Sequence, residues 1–232
     1  MVKIAHASIN ENGKVSGGAP GDQTGREVCI RSWYSKPWNY VIRFKDPVKR
    51  RKVAECMIMA AHNPRIGYDQ PTRNTLLNYA RNVGYDPYRV TSLCSTDCSA
   101  LVTLACIYAG IPEYILVKGG NSATTRTLRP LLQATGEVET FSELEYTLKP
   151  DKLIKGDILL AEGHHVAVVV ESHHRETIAA QKAGQSKDIT QVARNVIKGK
   201  YGNGQQRKEA LRAAGYDPES IQAEVNRILR GN

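Results

Sequence analysis

No apolar stretch in this 232-residue chain reaches the roughly 20 residues that cross a bilayer, so no membrane span is expected. The leading residues Met1-Val2-Lys3-Ile4-Ala5-His6-Ala7 carry no long apolar core ahead of a small-residue cleavage site. A secretory leader is therefore not expected, and synthesis in a cytoplasm is. The sequence also lacks a glycine-rich phosphate loop, a zinc-finger spacing and an RNA-binding aromatic signature. Cysteine is scarce. Cys29, Cys56, Cys94, Cys98 and Cys106 form no even disulfide framework, and Cys94-x-x-x-Cys98 lacks the second ligand pair of a zinc site. Neither a metal nor an organic cofactor is expected.

What is present describes a globular chain, with 41% apolar and 24% charged residues. Its length suits one domain of ordinary size and a small one. The net charge of +9 fits either nucleic acid or an anionic wall polymer, and charge alone does not choose. The densest basic run, Lys45 to Lys52, leads into an amphipathic helix and reads as its solvated face.

Residues 2–9 read as a strand, followed by a polar, glycine-rich loop from Asn10 to Gly25 and a second strand over Arg26–Tyr34. Helical periodicity marks Pro47–His62, Pro71–Val83 with a stop at Gly84, Cys98–Ala109 with a stop at Gly110, and Thr125–Thr135 with a stop at Gly136. After the turn Ile154-Lys155-Gly156-Asp157, strands are predicted at Ile158–Leu160 and His165–Val170. Composition turns small and polar at Ala179–Lys187, a linker. Three short amphipathic helices follow at Ile189–Lys198, Gln205–Ala214 and Pro218–Leu229, the last opened by Asp217-Pro218 as cap and first position.

One pairing carries chemistry. Thr96-Asp97-Cys98-Ser99-Ala100-Leu101-Val102 sets a cysteine where a helix begins, and Gly163-His164-His165-Val166-Ala167-Val168 sets a histidine at the mouth of a β-branched strand. A thiol at a helix N-terminus with an imidazole offered from a strand is the layout of papain-like catalysis. The helix dipole and an imidazolium would both favour the attacking thiolate. Cys56 and Cys106 sit in apolar helical runs and read as buried thiols. His165 is preferred to His164 as the base, because a slip of one residue along a strand changes its face.

The Asp97-Cys98-Ser99 and Gly156-Asp157…His165-Val166-Ala167-Val168 segments resemble the NlpC-type papain-like peptidoglycan hydrolases, phage endolysins above all. That resemblance implies a third polar residue one strand after the histidine. No such strand follows Glu171, whereas Lys3-Ile4-Ala5-His6-Ala7-Ser8 looks like the absent segment. A circularly permuted catalytic domain over residues 1–178 is therefore expected, with Cys98 as nucleophile, His165 as base and His6 as orienting residue. Glu171 is the fallback for the third role, and the Cys98 backbone N–H would hold the oxyanion. Tyr68, Asp97 and Trp33 are expected to contact substrate, with Tyr34 and Trp38 as further groove walls.

Gly199-Lys200-Tyr201-Gly202-Asn203-Gly204…Arg207 is similar to the CW-seven-type wall-binding repeat, which implies peptidoglycan contacts from Tyr201, Asn203 and Arg207. The rival reading of residues 188–232 is a helical DNA-binding bundle. Eight Lys/Arg against five Asp/Glu there leave only +3, little support for nucleic acid as partner. The expected fold class is therefore α+β: a papain-like domain with a central antiparallel sheet (1–178), a linker (179–187) and an all-α three-helix bundle (188–232). The expected function is cleavage of an amide in the wall peptide stem by an enzyme that acts on the cell wall after its release. A γ-D-glutamyl endopeptidase is favoured over a muramoyl–L-alanine amidase. A non-catalytic wall-binding protein is the alternative of a different class.

Overall fold

The computed structural model describes residues 1–172, 189–214 and 216–230, so the expected linker 179–187 lies outside the described residues. Contacts divide the chain into two units, Met1–Arg175 and Glu176–Asn232. The first unit is mixed α/β. Its elements begin β1 (Lys3–Ala7), β2 (Val28–Ser32), β3 (Tyr40–Phe44), α1 (Pro47–Ala61), β4 (Ile66–Tyr68), α2 (Thr75–Ala80), β5 (Cys94–Thr96) and α3 (Cys98–Tyr108). They continue α4 (Glu113–Leu116), β6 (Val117–Lys118), β7 (Asn121–Ser122), α5 (Leu128–Ala134), β8 (Val138–Phe141), α6 (Leu144–Thr147), β9 (Ile158–Ala161) and β10 (His165–Glu171).

Six strands form one sheet in the order β2-β1-β10-β9-β3-β8, every neighbouring pair antiparallel. The strand period of two sorts its side chains. Val166, Val168 and Val170 face a core built with Met57 of α1 and Leu101 and Leu104 of α3. Ala167 and Val169 pack on the other face with Ile4, Leu159 and Trp38. A strand buried on both faces reads as a continuous β-branched run, which is why β10 is visible in sequence.

Local chemistry sets the helix starts. Asp46 caps α1 by accepting from the Val48 N–H, with Pro47 at the first position. The helix expected over 71–83 is cut to Thr75–Ala80 and a single 3-10 turn ending at Gly84. Asp69 takes both the N–H and the hydroxyl of Thr72 and holds 69–72 as a turn instead. The helix expected from Thr125 likewise starts later, at Leu128, because the Thr127 hydroxyl accepts from the Thr124 N–H.

The turn before β9 explains a Gly-Asp pair. Gly156 has φ +92°, and a Cβ there would stand 2.3 Å from the Arg50 carbonyl oxygen, so only glycine fits. Asp157 is fully buried and receives Arg43 of β3 through two 2.7 Å hydrogen bonds, plus the Ile154 N–H at 2.8 Å. This fork pins β3 to the start of β9.

In the second unit, residues 189–197 form α7, followed by α8 (Gly204–Ala213) and α9 (Pro218–Leu229). Asp217 caps α9 by accepting from the Ser220 N–H. The three helices share one apolar cluster of Val192, Ala193, Val196, Leu211, Ile221 and Val225. Among the described residues no helix is long and apolar enough to cross a membrane.

Breaking a buried ion pair from one side leaves a charge without compensation, at a cost of about 3–5 kcal/mol. Arg43→Met should destabilise the first unit by that order in urea denaturation. The double variant Arg43→Met/Asp157→Leu should recover part of the loss. A double variant as unstable as the sum of its single changes would contradict this.

Candidate active site

The parallel pairing of β4 with β5, Tyr68 opposite Thr96, delivers the chain to the head of α3. There Asp97 is the cap, its Oδ1 accepting from the Ala100 N–H at 2.7 Å and from the Ser99 hydroxyl at 3.1 Å. Its carboxylate, expected to meet substrate, is engaged in the helix start. Cys98 follows as the first helical residue and is only 6% exposed. The backbone N–H groups of Val166 and Ser99 lie near its thiol and favour the anion. Tyr68, buried at the end of β4, and Tyr34 both lie within electrostatic range of that thiol.

On the sheet, β1 and β10 are neighbours, with Ile4 opposite Val169 and Ala5 opposite Val168. This register sets His6 Nδ1 2.9 Å from His165 Nε2, with the rings edge-on at a centroid separation of 5.1 Å. His165 is 7% and His6 2% exposed, whereas His164 is exposed. Glu171 sits at the far end of β10 in an ion pair with Lys3. The rings flanking the pair are Trp38, 6.1 Å from His165, and Tyr34, 6.2 Å from His6. Trp38 Nε1 donates to the Tyr34 carbonyl oxygen at 3.3 Å and joins the two walls. Trp33 packs into the same apolar cluster but makes no ring contact with either histidine among the described residues.

Electrostatics at the site oppose charge. Burial, reinforced by His6 and Lys36, brings His165 down to about 3. Burial, Arg31 and Lys36 bring His6 down to about 4. Burial and the neighbouring Asp97 charge push the Cys98 thiol up to about 11, against the opposing pull of the two N–H groups and of Arg73. The resting site thus holds a neutral thiol and two neutral imidazoles. At rest, desolvation of the thiol outweighs the pull of the helix start.

Two neutral rings in contact need one N–H and one lone pair between them. With the proton on His165 Nε2, donating to His6 Nδ1, His165 Nδ1 is a lone pair able to take a thiol proton. Among the described residues no hydrogen bond joins Cys98 to His165 directly. Contacts of this kind commonly tighten only when substrate binds.

One residue has no signal in the sequence. Arg73, in the turn ahead of α2, reaches Asp97, Ser99 and Ala123 from a segment without a motif. In the second unit, Arg207 brings together the Gly202 carbonyl oxygen, Asn203 Oδ1 and Gln222 Oε1 at 3.0–3.2 Å. It lines a cleft of about 430 Å³ with Leu211, Pro218, Gln222 and Asn226. Tyr201 is half-buried against the helical cluster. No group of three His, Cys, Asp or Glu side chains is placed to hold a metal among the described residues.

The depressed histidines make stability depend on pH with a fixed sign. Between pH 6.5 and about 4 the unfolded chain binds protons that folded His6 and His165 refuse. Stability should therefore be complete above pH 6.5 and fall as pH drops, by about 1.4 kcal/mol per pH unit for each histidine. Denaturation midpoints measured across this range should fall less steeply for His6→Phe. An identical slope would contradict the buried pair.

Residues 190–229 match the CW_7 repeat. A 42-residue stretch of the chain is 52% identical to a protein named lysozyme from Streptococcus phage Cp-7, covering 18% of this chain and 12% of that protein. No solved structure matches the chain. The larger match takes in β1, β10 and the head of α3 together: with residues 4–176 fitting its model, the chain belongs to the family described as Endolysin-like domain.

Proposed function

We propose that this chain is a peptidoglycan hydrolase of endolysin type, in which Cys98, His165 and His6 cleave an amide of the wall peptide stem. The observation that carries the reading is the 2.9 Å contact between His6 and His165, at the mouth of the strand whose Val166 N–H lies near the Cys98 thiol. The Endolysin-like and CW_7 matches support the wall as target. The name of the Cp-7 protein belongs to a chain of which 12% is matched, and it assigns no bond to this one.

In this reading residues 1–178 are a papain-like domain of NlpC type whose orienting strand precedes the nucleophile helix, a circular permutation. Substrate would enter between Tyr68 and the Tyr34–Trp38 wall. As Cys98 Sγ attacks the carbonyl carbon, His165 Nδ1 takes the thiol proton, and the Cys98 N–H at the open start of α3 holds the oxyanion. The imidazolium passes its proton to the leaving amine, and water then releases the acyl group from sulfur. His6 accepts from His165 Nε2 and keeps the ring in the productive orientation. Residues 179–187 are the linker. Residues 188–232 are a three-helix wall-binding module, in which Tyr201, Asn203 and Arg207 meet the glycan–peptide unit. The favoured scissile bond is γ-D-glutamyl, with the muramoyl–alanine amide as the second reading.

Cys98→Ala should abolish lysis of purified sacculi, by several orders of magnitude, with an unchanged circular-dichroism spectrum. His6→Ala should lower turnover by less, and replacing Cys29, Cys56, Cys94 or Cys106 should cost stability at most. Substantial lysis by folded Cys98→Ala protein would end the mechanism.

Truncation after Gln181 should leave an enzyme that cleaves soluble stem peptides yet sediments poorly with sacculi. Undiminished co-sedimentation of the truncated chain would refute the wall-binding role of residues 188–232.

A further inference from the structure

Both neighbours of Cys98 in the chain turn their side chains to one guanidinium. Arg73 Nε stands 2.9 Å from Asp97 Oδ2, a charge contact in which the N–H is not aligned for a hydrogen bond. Its Nη2 donates to Ser99 Oγ at 3.0 Å and to the Ala123 carbonyl oxygen at 2.6 Å. The side chains of Arg73 and Asp97 are 16% and 9% exposed, so this ion pair is shielded from solvent screening. Asn74 extends the clamp: its Oδ1 accepts from the Ser122 N–H at 3.0 Å, and its Nδ2 donates to Asn121 Oδ1 at 3.1 Å. Residues 73–74 thereby tie the head of α3 to the β6–β7 hairpin.

Asp97 creates a conflict that Arg73 resolves. The helix start needs a cap, and a carboxylate makes a strong one. The same carboxylate sits beside a thiol that must become anionic as it attacks, and a nearby like charge disfavours that state. A guanidinium on the second carboxylate oxygen cancels the charge without removing the cap. Its planar fork also reaches Ser99 and Ala123 at once, which a lysine ammonium on a flexible stem does not.

We propose that Arg73 is a positioning residue for Cys98, neutralising the charge of the Asp97 cap and fixing Asp97, Ser99 and Ala123 in one frame around the nucleophile. The proposal rests on Cys98 being the nucleophile. Arg73 opposes, and Asp97 reinforces, the upward push on the thiol. The guanidinium is engaged by Asp97, Ser99 and Ala123, which places Arg73 behind the nucleophile as its support.

The test uses the full chain. Alkylation of Cys98 by iodoacetamide is followed by peptide mass spectrometry across roughly pH 7 to 12, a range that takes in the Cys98 thiol pushed up to about 11. In parallel, kcat and KM are measured on soluble stem peptides. R73Q should raise the alkylation midpoint and slow alkylation at neutral pH by about tenfold, the effect of one pKa unit. It should also lower kcat with little change in KM. R73K should keep the midpoint near that of the unaltered chain while kcat still falls. The double variant D97N/R73Q, which retains an asparagine cap but loses both charges, should return the midpoint to its original value. A folded R73Q protein with an unmoved midpoint or an unmoved kcat overturns the proposal. If R73Q does not fold, full kcat in R73K overturns it instead. Failure of the nucleophile reading is separate, since it shows as lysis by Cys98→Ala, whereas alkylation is read without turnover.

Discussion

The antiparallel pairing of β1 with β10 is the contact on which the site depends. It joins His6 to His165 across 159 residues of sequence and holds β1 and β2 onto the rest of the six-stranded sheet. Without it the β1–β2 pair is detached from the other four strands, and His165 loses its ring partner. The loop from Asn10 to Gly25 would also lose one anchor of its path across β4. That path is tight: a Cβ on Gly67 would stand 2.0 Å from the Gly21 carbonyl oxygen. Pairings this distant must close a long loop before any strand contact stabilises them, which favours slow, cooperative folding of the first unit.

The same burial that secures the sheet sets the chemistry of the site. Desolvation lowers both histidines and raises the thiol, so the resting groups are neutral. On the proposed mechanism charge arises only during reaction, where the Val166 and Ser99 N–H groups, the start of α3 and Arg73 can meet it. A site arranged in this way stores no exposed thiolate. A buried neutral thiol resists oxidation, because reactivity follows the thiolate.

Legibility in the sequence tracked the strength of local signals. The head of α3 reads clearly because a capping aspartate precedes an apolar run, and β10 reads clearly because it is buried on both faces. In the second unit α9 reads clearly for a similar reason, since the Asp217 cap precedes its apolar-periodic run. Strands β3, β4, β5 and β8 give no such signal. In β3 the pattern is broken by Arg43, whose charge is answered by Asp157 on a distant turn. β4 and β5 are three residues each, too short for a period to register. At the site, adjacent motifs marked Cys98 and His165, and a displaced one marked His6. The thiol's neutrality was hidden because desolvation is a property of the packed core. Arg73 was hidden because its partners are scattered from Asp97 to Ala123. The capping contact of Asp97 was hidden as well, since a motif names a residue and not the backbone amide it caps.

The central claim is that the wall is opened by attack of sulfur on an amide carbonyl. The direct measurement is the chemical inventory of sacculi digested by the full chain, with fragments resolved by mass spectrometry and new amino groups and new reducing ends counted together. The account predicts one new amine for each bond cut, no gain in reducing ends, and a stem-derived acyl adduct on the peptide containing Cys98 when digestion is quenched in acid. New reducing ends without new amines would mean that a glycosidic bond is cut, and would contradict it.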